Sequence, residues 1–178
     1  KKGRHGIVHC QITNPRILKG MKDQDLLAYI QPVFIDLDMN TVEPAIGAHR
    51  MDKVYAWKSM LDMGIHTSGG SDAPVVSFDA MENIYFAVTR KNISGQPQEG
   101  WIPSEKISVD EAVKLFTKNA AYASYTEDEN GTIEVGKNAD FVVLEKDIYK
   151  IHPDEIKTTK VDMTVLGGEI VYEREVEE

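Results

Sequence analysis

The sequence has little of three features that would assign it to particular classes of protein. Its single cysteine, Cys10, cannot form an internal disulfide. No apolar run approaches the ~20 residues of a transmembrane helix, and no basic-then-apolar leader opens the chain. Basic side chains number 20 against 29 acidic ones, so the net charge is −9 and no basic stripe is present. These features argue against membrane and nucleic-acid partners and favour a cytoplasmic enzyme or binding module.

What is present is an ordinary globular composition. The 178 residues are 42% hydrophobic and 28% charged, which fits one domain or two small ones with a substantial core. The chain starts at Lys1 rather than Met and reaches a strand-like run within six residues. We therefore expect it to be a fragment of a longer protein.

The pattern up to about residue 126 alternates short apolar runs with amphipathic segments, which is typical of repeated strand-then-helix units. Asn14 and Pro15 are suited to begin a helix, Gly64 to follow the end of one, and Ser108 with Glu111 to form a capping box. The predicted strands are 7–10, 26–33 and 65–68, and the predicted helices are 14–23, 51–63, 78–90 and 108–123.

The pattern changes to short β segments after residue 126. These segments are 132–135, 141–144, 161–166 and 169–172, and Gly167-Gly168 between the last two is a hairpin signal. We therefore predict an α/β unit over residues 1–126 and a β-rich module over residues 127–178.

Two polar residues stand where reacting groups collect in parallel α/β folds. His9 is at the end of the first predicted strand, and Asp72 is in the glycine-rich turn after the third. Imidazole and carboxylate are zinc ligands, and a carboxylate can also take a proton from water. The alternative is that His9 is a hydrogen-bonded core histidine and Asp72 caps the next helix. Composition and spacing alone leave both open.

Other candidates are weaker. His66 in the third strand is more typical of a satisfied structural histidine than of a ligand. Arg50 ends an irregular stretch and is either solvated or an anion contact. Cys10 is expected to be a buried small apolar residue rather than a nucleophile.

Five segments of the sequence resemble the metal-dependent amidohydrolases, specifically amidohydrolase family 3, the YtcJ-like and N-substituted formamide deformylase-like group. Residues 6–11 are similar to the strand-six motif that ends in a metal-site histidine, and residues 29–32 to the Gln-Pro strand end that follows. Gly-Ser-Asp-Ala-Pro-Val at 70–75 resembles the strand-eight signature with its catalytic aspartate. Residues 108–123 resemble the last barrel helix, and 131–144 the return to a small β-sandwich.

The resemblance implies the C-terminal part of a (β/α)₈ barrel followed by strands of a composite β-sandwich. It implies one or two divalent metals, with zinc the expected ion, and hydrolysis of a C–N bond in an amide, formamide or cyclic amide. His9 and Asp72 would be metal ligands, Asp72 the general base and acid, and Arg50 and Gln31 substrate-binding residues. His9 would alternatively donate to the substrate oxygen in a single-metal site.

The other ligands of that family precede the first strand present here, so the metal site of this chain is expected to be incomplete. The fragment alone should therefore hold no stoichiometric zinc and show no amidase activity. The alternatives are a non-catalytic regulatory or binding protein of the same fold, similar to exoenzyme regulators, and a hydrolase of a non-amide bond. A small-molecule substrate is expected. We also expect His9 and Asp72 to lie within a few ångströms, and association of copies through the exposed strands 7–10 and 65–68.

Overall fold

A computed structural model describes residues 3–175 and contains a parallel sheet near its start. The strands are β1 (Gly6–Val8), β2 (Leu27–Ile30) and β3 (Thr67–Gly69), in the order β1-β2-β3. Both outer strands run parallel to β2, so the carboxyl ends of all three meet at one edge. The predicted α/β arrangement of strands joined by helices is thus confirmed, with each strand shorter than its apolar run.

The connection from β1 to β2 is the helix α1 (Pro15–Asp23). The Asn14 side chain accepts a hydrogen bond from the Ile17 backbone N–H at 2.9 Å, as expected of an N-cap. Leu18 and Met21 are buried in the same cluster as Ala28 and Ile30 of β2, so the helix turns one apolar face toward the sheet. Its predicted start and end are confirmed.

The connection from β2 to β3 is longer and less regular. It contains the short helices α2 (Phe34–Asp38) and α3 (Val42–Ile46), a 3₁₀ helix (Ala48–Lys53) and α4 (Trp57–Asp62). The prediction of one helix over 51–63 is wrong.

The interruption in this connection lies at Tyr55. Its φ is +50°, and its backbone N–H donates to the Gln11 carbonyl at 2.7 Å instead of to a helical partner. The side chains from Val54 to Trp57 are all at most 1% exposed. Since a helix cannot bury four consecutive side chains against one surface, the chain crosses the core here and starts α4 afterwards.

Three α-helices follow β3 in the described part of the chain: α5 (Ala80–Thr89), α6 (Val109–Phe116) and α7 (Lys118–Ala123). The capping box of Ser108 and Glu111 is present at the start of α6. The single helix predicted through 123 is broken at Thr117, whose φ and ψ of −122° and −98° lie outside the helical region.

The C-terminal sheet is antiparallel and consists of β4 (Phe141–Leu144), β5 (Val161–Leu166) and β6 (Glu169–Glu173) in that order. Gly167 and Gly168 join the last two strands with φ of +59° and +84°, so the hairpin prediction is confirmed. The predicted strand at 132–135 is wrong. Its apolar side chains Ile133 and Val135 are almost fully exposed, and among residues 3–175 no strand pairs with them.

The β-rich module also contributes to the core of the preceding unit. Ile148 and Ile156 are buried in the same cluster as Tyr85 of α5. Lys91 contacts both carboxylate oxygens of Asp154 at 2.8–2.9 Å. The boundary at residue 126 stays a prediction, and the structure shows that the two sides of it share side-chain packing.

None of the described helices combines the length and apolar character needed to cross a membrane. The exposed strand β1, where Ile7 and Val8 are 40% and 55% exposed, is an edge of the described sheet. Association through it stays a prediction.

Candidate active site

The carboxyl edge of the parallel sheet carries the two residues that sequence analysis singled out. His9 follows β1 directly, and Asp72 follows β3 by three residues. Because β1 and β3 both run parallel to β2, the two residues leave the sheet at the same edge. A side-chain separation of a few ångströms stays a prediction.

His9 lies in a turn with an uncommon backbone. Its φ is +69° and that of Cys10 is +48°, and left-handed values cost a non-glycine residue about 1–2 kcal/mol each. The His9 N–H donates to the Tyr29 carbonyl at 2.8 Å, which ties the turn to β2. The imidazole ring stacks on Phe34 of α2, with ring centroids 5.7 Å apart.

The His9 ring is oriented by Gln31, the residue after β2. His9 Nδ1 lies 2.8 Å from Gln31 Oε1, and Gln31 is 7% exposed. Gln31 Nε2 donates to the Tyr29 carbonyl at 3.4 Å, so its amide oxygen is the atom that faces the ring. Since that oxygen only accepts, Nδ1 is the donor, and in the neutral ring this tautomer leaves the Nε2 lone pair for a metal or substrate.

Asp72 is exposed and has a φ of +63°. Its carbonyl accepts from the Val75 N–H at 2.9 Å, and its carboxylate makes no hydrogen bond within residues 3–175. The alternative that Asp72 caps the following helix is wrong. Asp79 caps α5, accepting from the backbone N–H groups of Met81 and Glu82.

Arg50 lies in the 3₁₀ helix of the long connection and is exposed. No hydrogen bond or ion pair of the described residues joins it to His9, Gln31 or Asp72. Its assignment to substrate binding stays a prediction.

The donor set fits part of a metal site. An imidazole with a free Nε2 and an exposed carboxylate are both ligand types for zinc. Within residues 3–175, however, no three His, Cys, Asp or Glu side chains come together in a way that could hold a metal ion. Two ligands do not complete a catalytic zinc site, which takes three protein ligands.

Two other candidate residues are structural. His66 Nε2 lies 2.9 Å from the Asn119 carbonyl, its ring packs on Tyr122, and burial lowers its pKa. Cys10 is 7% exposed, and burial raises the pKa of its thiol to about 11. Both predictions are confirmed.

A polar cluster that no sequence motif predicts lies beside the His9 turn. Gln11 Nε2 donates to Asp38 Oδ2 at 2.9 Å and to the Tyr55 hydroxyl at 2.6 Å, and that hydroxyl donates to the same Asp38 oxygen. Burial, followed by the bond to Asp38, raises the pKa of Tyr55, so its hydroxyl keeps its proton. The three residues are 17 to 44 positions apart, so no local pattern predicts the cluster.

Comparison with known proteins gives a consistent result. The sequence model described as "Amidohydrolase family" matches residues 1–172. The amidohydrolase-type protein YtcJ of Bacillus subtilis is 35% identical over 175 residues, which are 98% of this chain and 33% of YtcJ. N-substituted formamide deformylase of Arthrobacter pascens is 36% identical over 122 residues, which are 68% of this chain and 22% of that enzyme. The chain thus spans a third or less of the length of these two relatives.

Solved structures share the fold at low sequence identity. A metal-dependent hydrolase from Pyrococcus horikoshii superposes with a TM-score of 0.75 at 21% identity, over 84% of this chain and 30% of that one. A variant of atrazine chlorohydrolase TrzN from Arthrobacter aurescens, complexed with zinc and atraton, gives 0.65 at 17% identity, over 94% of this chain and 36% of that one.

Proposed function

Because the chain belongs to the amidohydrolase family, we propose that the whole protein hydrolyses a C–N bond of an amide, formamide or cyclic amide with the help of a divalent metal. The observation that carries the proposal is at the carboxyl edge of the sheet. There, within the described residues 3–175, no hydrogen bond engages His9 Nε2 or the Asp72 carboxylate, and both residues leave the sheet at the same edge. The name of the formamide deformylase supports the choice of bond.

We further propose that these strands are the last part of a (β/α)₈ barrel and that the antiparallel sheet belongs to a small composite sandwich. Structural similarity to metal-dependent hydrolases over 84% of the chain supports the barrel. In the antiparallel sheet, the adjacent residues Val142 and Val143 point to opposite faces and are 54% and 43% exposed. A sheet with apolar residues exposed on both faces fits a sandwich completed by another part of the protein.

The metal would be held by His9 Nε2 and Asp72, with further ligands supplied from outside this chain; zinc is the ion we propose. When bound, such an ion lowers the pKa of a water molecule toward ~7 and polarises a carbonyl group. The zinc of the TrzN structure supports this choice.

The protein's own residues carry the proton. The water oxygen attacks the carbonyl carbon, and a carboxylate oxygen of Asp72 takes the water proton. As the C–N bond breaks, Asp72 returns that proton to the departing nitrogen, so an amine and a carboxylic acid leave. Asp72 is suited to this role because its carboxylate is exposed and not engaged by any described donor.

Arg50 is proposed to contact the substrate at the mouth of the site. The family resemblance also implies a substrate-binding role for Gln31, but its amide oxygen accepts from His9 Nδ1 and Gln31 is buried. We therefore propose that Gln31 acts by orienting His9.

The test uses the full-length protein with zinc, assayed on a panel of N-substituted formamides and cyclic amides. We expect Asp72→Asn to lower kcat by about 10²–10⁴-fold, the usual range for general acid–base groups. The matched control is Asp110→Asn, which changes another exposed carboxylate, one that pairs with Lys114 in α6. Full activity in Asp72→Asn, or a wild-type protein that binds no metal and hydrolyses nothing, would refute the enzyme proposal and favour a binding protein.

A further inference from the structure

One short helix, α2, contacts the strained turn at His9 and Cys10 at two points. The first residue of α2, Phe34, stacks on the His9 ring. The last residue of α2, Asp38, accepts from Gln11, two residues beyond His9. Residues four apart share a face of a helix, so α2 presents both groups to the same turn.

The chain beyond the turn is fixed by a second contact. Residues 11–13 run antiparallel to residues 53–55. The Tyr55 N–H donates to the Gln11 carbonyl at 2.7 Å, and the Thr13 N–H donates to the Lys53 carbonyl at 3.2 Å. The Tyr55 hydroxyl then joins Gln11 and Asp38 through their side chains.

We propose that the cluster of Gln11, Asp38 and Tyr55 is a positioning element that holds the His9 turn in its left-handed conformation and so aims the His9 imidazole. None of the three touches the reacting atoms in this proposal. Two consecutive non-glycine residues with positive φ persist only where surrounding contacts fix them. The backbone hydrogen bond from His9 to Tyr29 and the ring hydrogen bond to Gln31 hold the turn on the β2 side, and the cluster holds it on the other side.

The hydroxyl of Tyr55 is the part of the cluster that can be removed with least damage. The Tyr55 ring packs edge-on against Trp57 and Trp101, and its carbonyl accepts from Arg90 Nη1 at 2.9 Å. Tyr55→Phe keeps these contacts and deletes only the bonds to Gln11 and Asp38. Tyr55 is 1% exposed, so water does not replace those bonds fully.

The matched control is Tyr85→Phe. Tyr85 is as fully buried as Tyr55, and its hydroxyl also makes a hydrogen bond, to the Asn92 carbonyl at 2.9 Å. It lies in α5 and takes no part in the His9 turn. Two variants of Asp38 distinguish loss of the hydrogen-bond acceptor from loss of the negative charge. Asp38→Ala removes the acceptor oxygen, whereas Asp38→Asn removes the charge and keeps an amide oxygen that can accept from Tyr55.

The experiment uses the full-length protein and two readouts. The first is the ¹⁵N chemical shifts of the His9 imidazole in metal-free protein labelled at histidine, assigned with His9→Gln. The second is zinc affinity by competition with a chromophoric chelator. We expect Tyr55→Phe and Asp38→Ala to move the His9 resonances and to weaken zinc binding by up to about tenfold, the lower end of the range for a partner bonded directly to a ligand, because the cluster acts on His9 through the turn. Tyr85→Phe and Asp38→Asn should resemble wild type.

The inference rests on the proposed function only in taking His9 as a metal ligand. The two readouts distinguish failure of the positioning role from failure of the proposed metal site. Unchanged His9 resonances in Tyr55→Phe, or equal changes in Tyr55→Phe and Tyr85→Phe, would overturn the positioning role. A wild-type protein that binds no zinc, in which Tyr55→Phe still moves the His9 resonances, would support the positioning role and refute the metal proposal.

Discussion

Gln31→Leu removes the hydrogen bond from His9 Nδ1 to Gln31 Oε1, together with the longer bond from Gln31 Nε2 to the Tyr29 carbonyl. Leucine has a similar volume, and the variant keeps the 2.8 Å backbone hydrogen bond from the His9 N–H to the Tyr29 carbonyl. The variant leaves Nδ1 without its acceptor, so the ring is no longer held with Nε2 as the free nitrogen. Loss of such a partner typically lowers metal affinity 10–100-fold. We therefore expect zinc binding to weaken by about 1.4–2.8 kcal/mol.

The assay is zinc titration of the full-length apoprotein against a chromophoric chelator, alongside urea denaturation. Gln31→Glu is the matched control, because its carboxylate still accepts from Nδ1 and should keep most of the affinity. We expect Gln31→Leu to cost about 1–2 kcal/mol in unfolding free energy, because two hydrogen bonds are lost and each typically contributes about 1 kcal/mol or less. Wild-type zinc affinity in Gln31→Leu, together with loss of zinc binding in His9→Gln, would refute an orienting role for Gln31.

Three further predictions concern stability. Ser108→Ala should lower the unfolding free energy by about 1 kcal/mol in urea because α6 loses its cap, and Ser108→Asp should restore it. His66 has a folded-state pKa below its usual value, so stability should fall as pH drops below about 6.5, because the unfolded chain takes up the proton first; the same slope in His66→Gln would contradict this. In Gly100→Ala the new Cβ would lie 2.3 Å from the Thr89 carbonyl oxygen, and overpacking should cost about 1–3 kcal/mol. Gly95→Ala, with a similar φ and open space, should cost less by thermal denaturation.

Features encoded by a few neighbouring residues were predictable from the sequence. Asn14 accepts from the third residue of α1, Ser108 and Glu111 bond reciprocally, and Gly167-Gly168 forms the tight hairpin. In each case the chemistry is satisfied within four residues, so no tertiary contact is needed to decide it.

Features decided by distant contacts were not predictable. The apolar spacing over 51–63 suits a helix, yet the backbone at Tyr55 bonds to Gln11, 44 residues earlier, and the helix starts only at Trp57. Residues 132–135 alternate like a strand, but no described strand pairs with them, and alternation alone does not supply a partner.

The same distinction between local and distant contacts applies to the candidate site. That His9 and Asp72 share an edge follows from strand order, because parallel strands deliver their ends to one side of a sheet. How His9 is aimed does not follow from strand order. It depends on Gln31, on Phe34 and Asp38 at the two ends of α2, and therefore on where that helix lies against the turn. Contacts of this kind join residues 22 to 44 positions apart, so they arise only once the β2–α2 connection has packed, and a sequence pattern can identify the ligand type without its orientation.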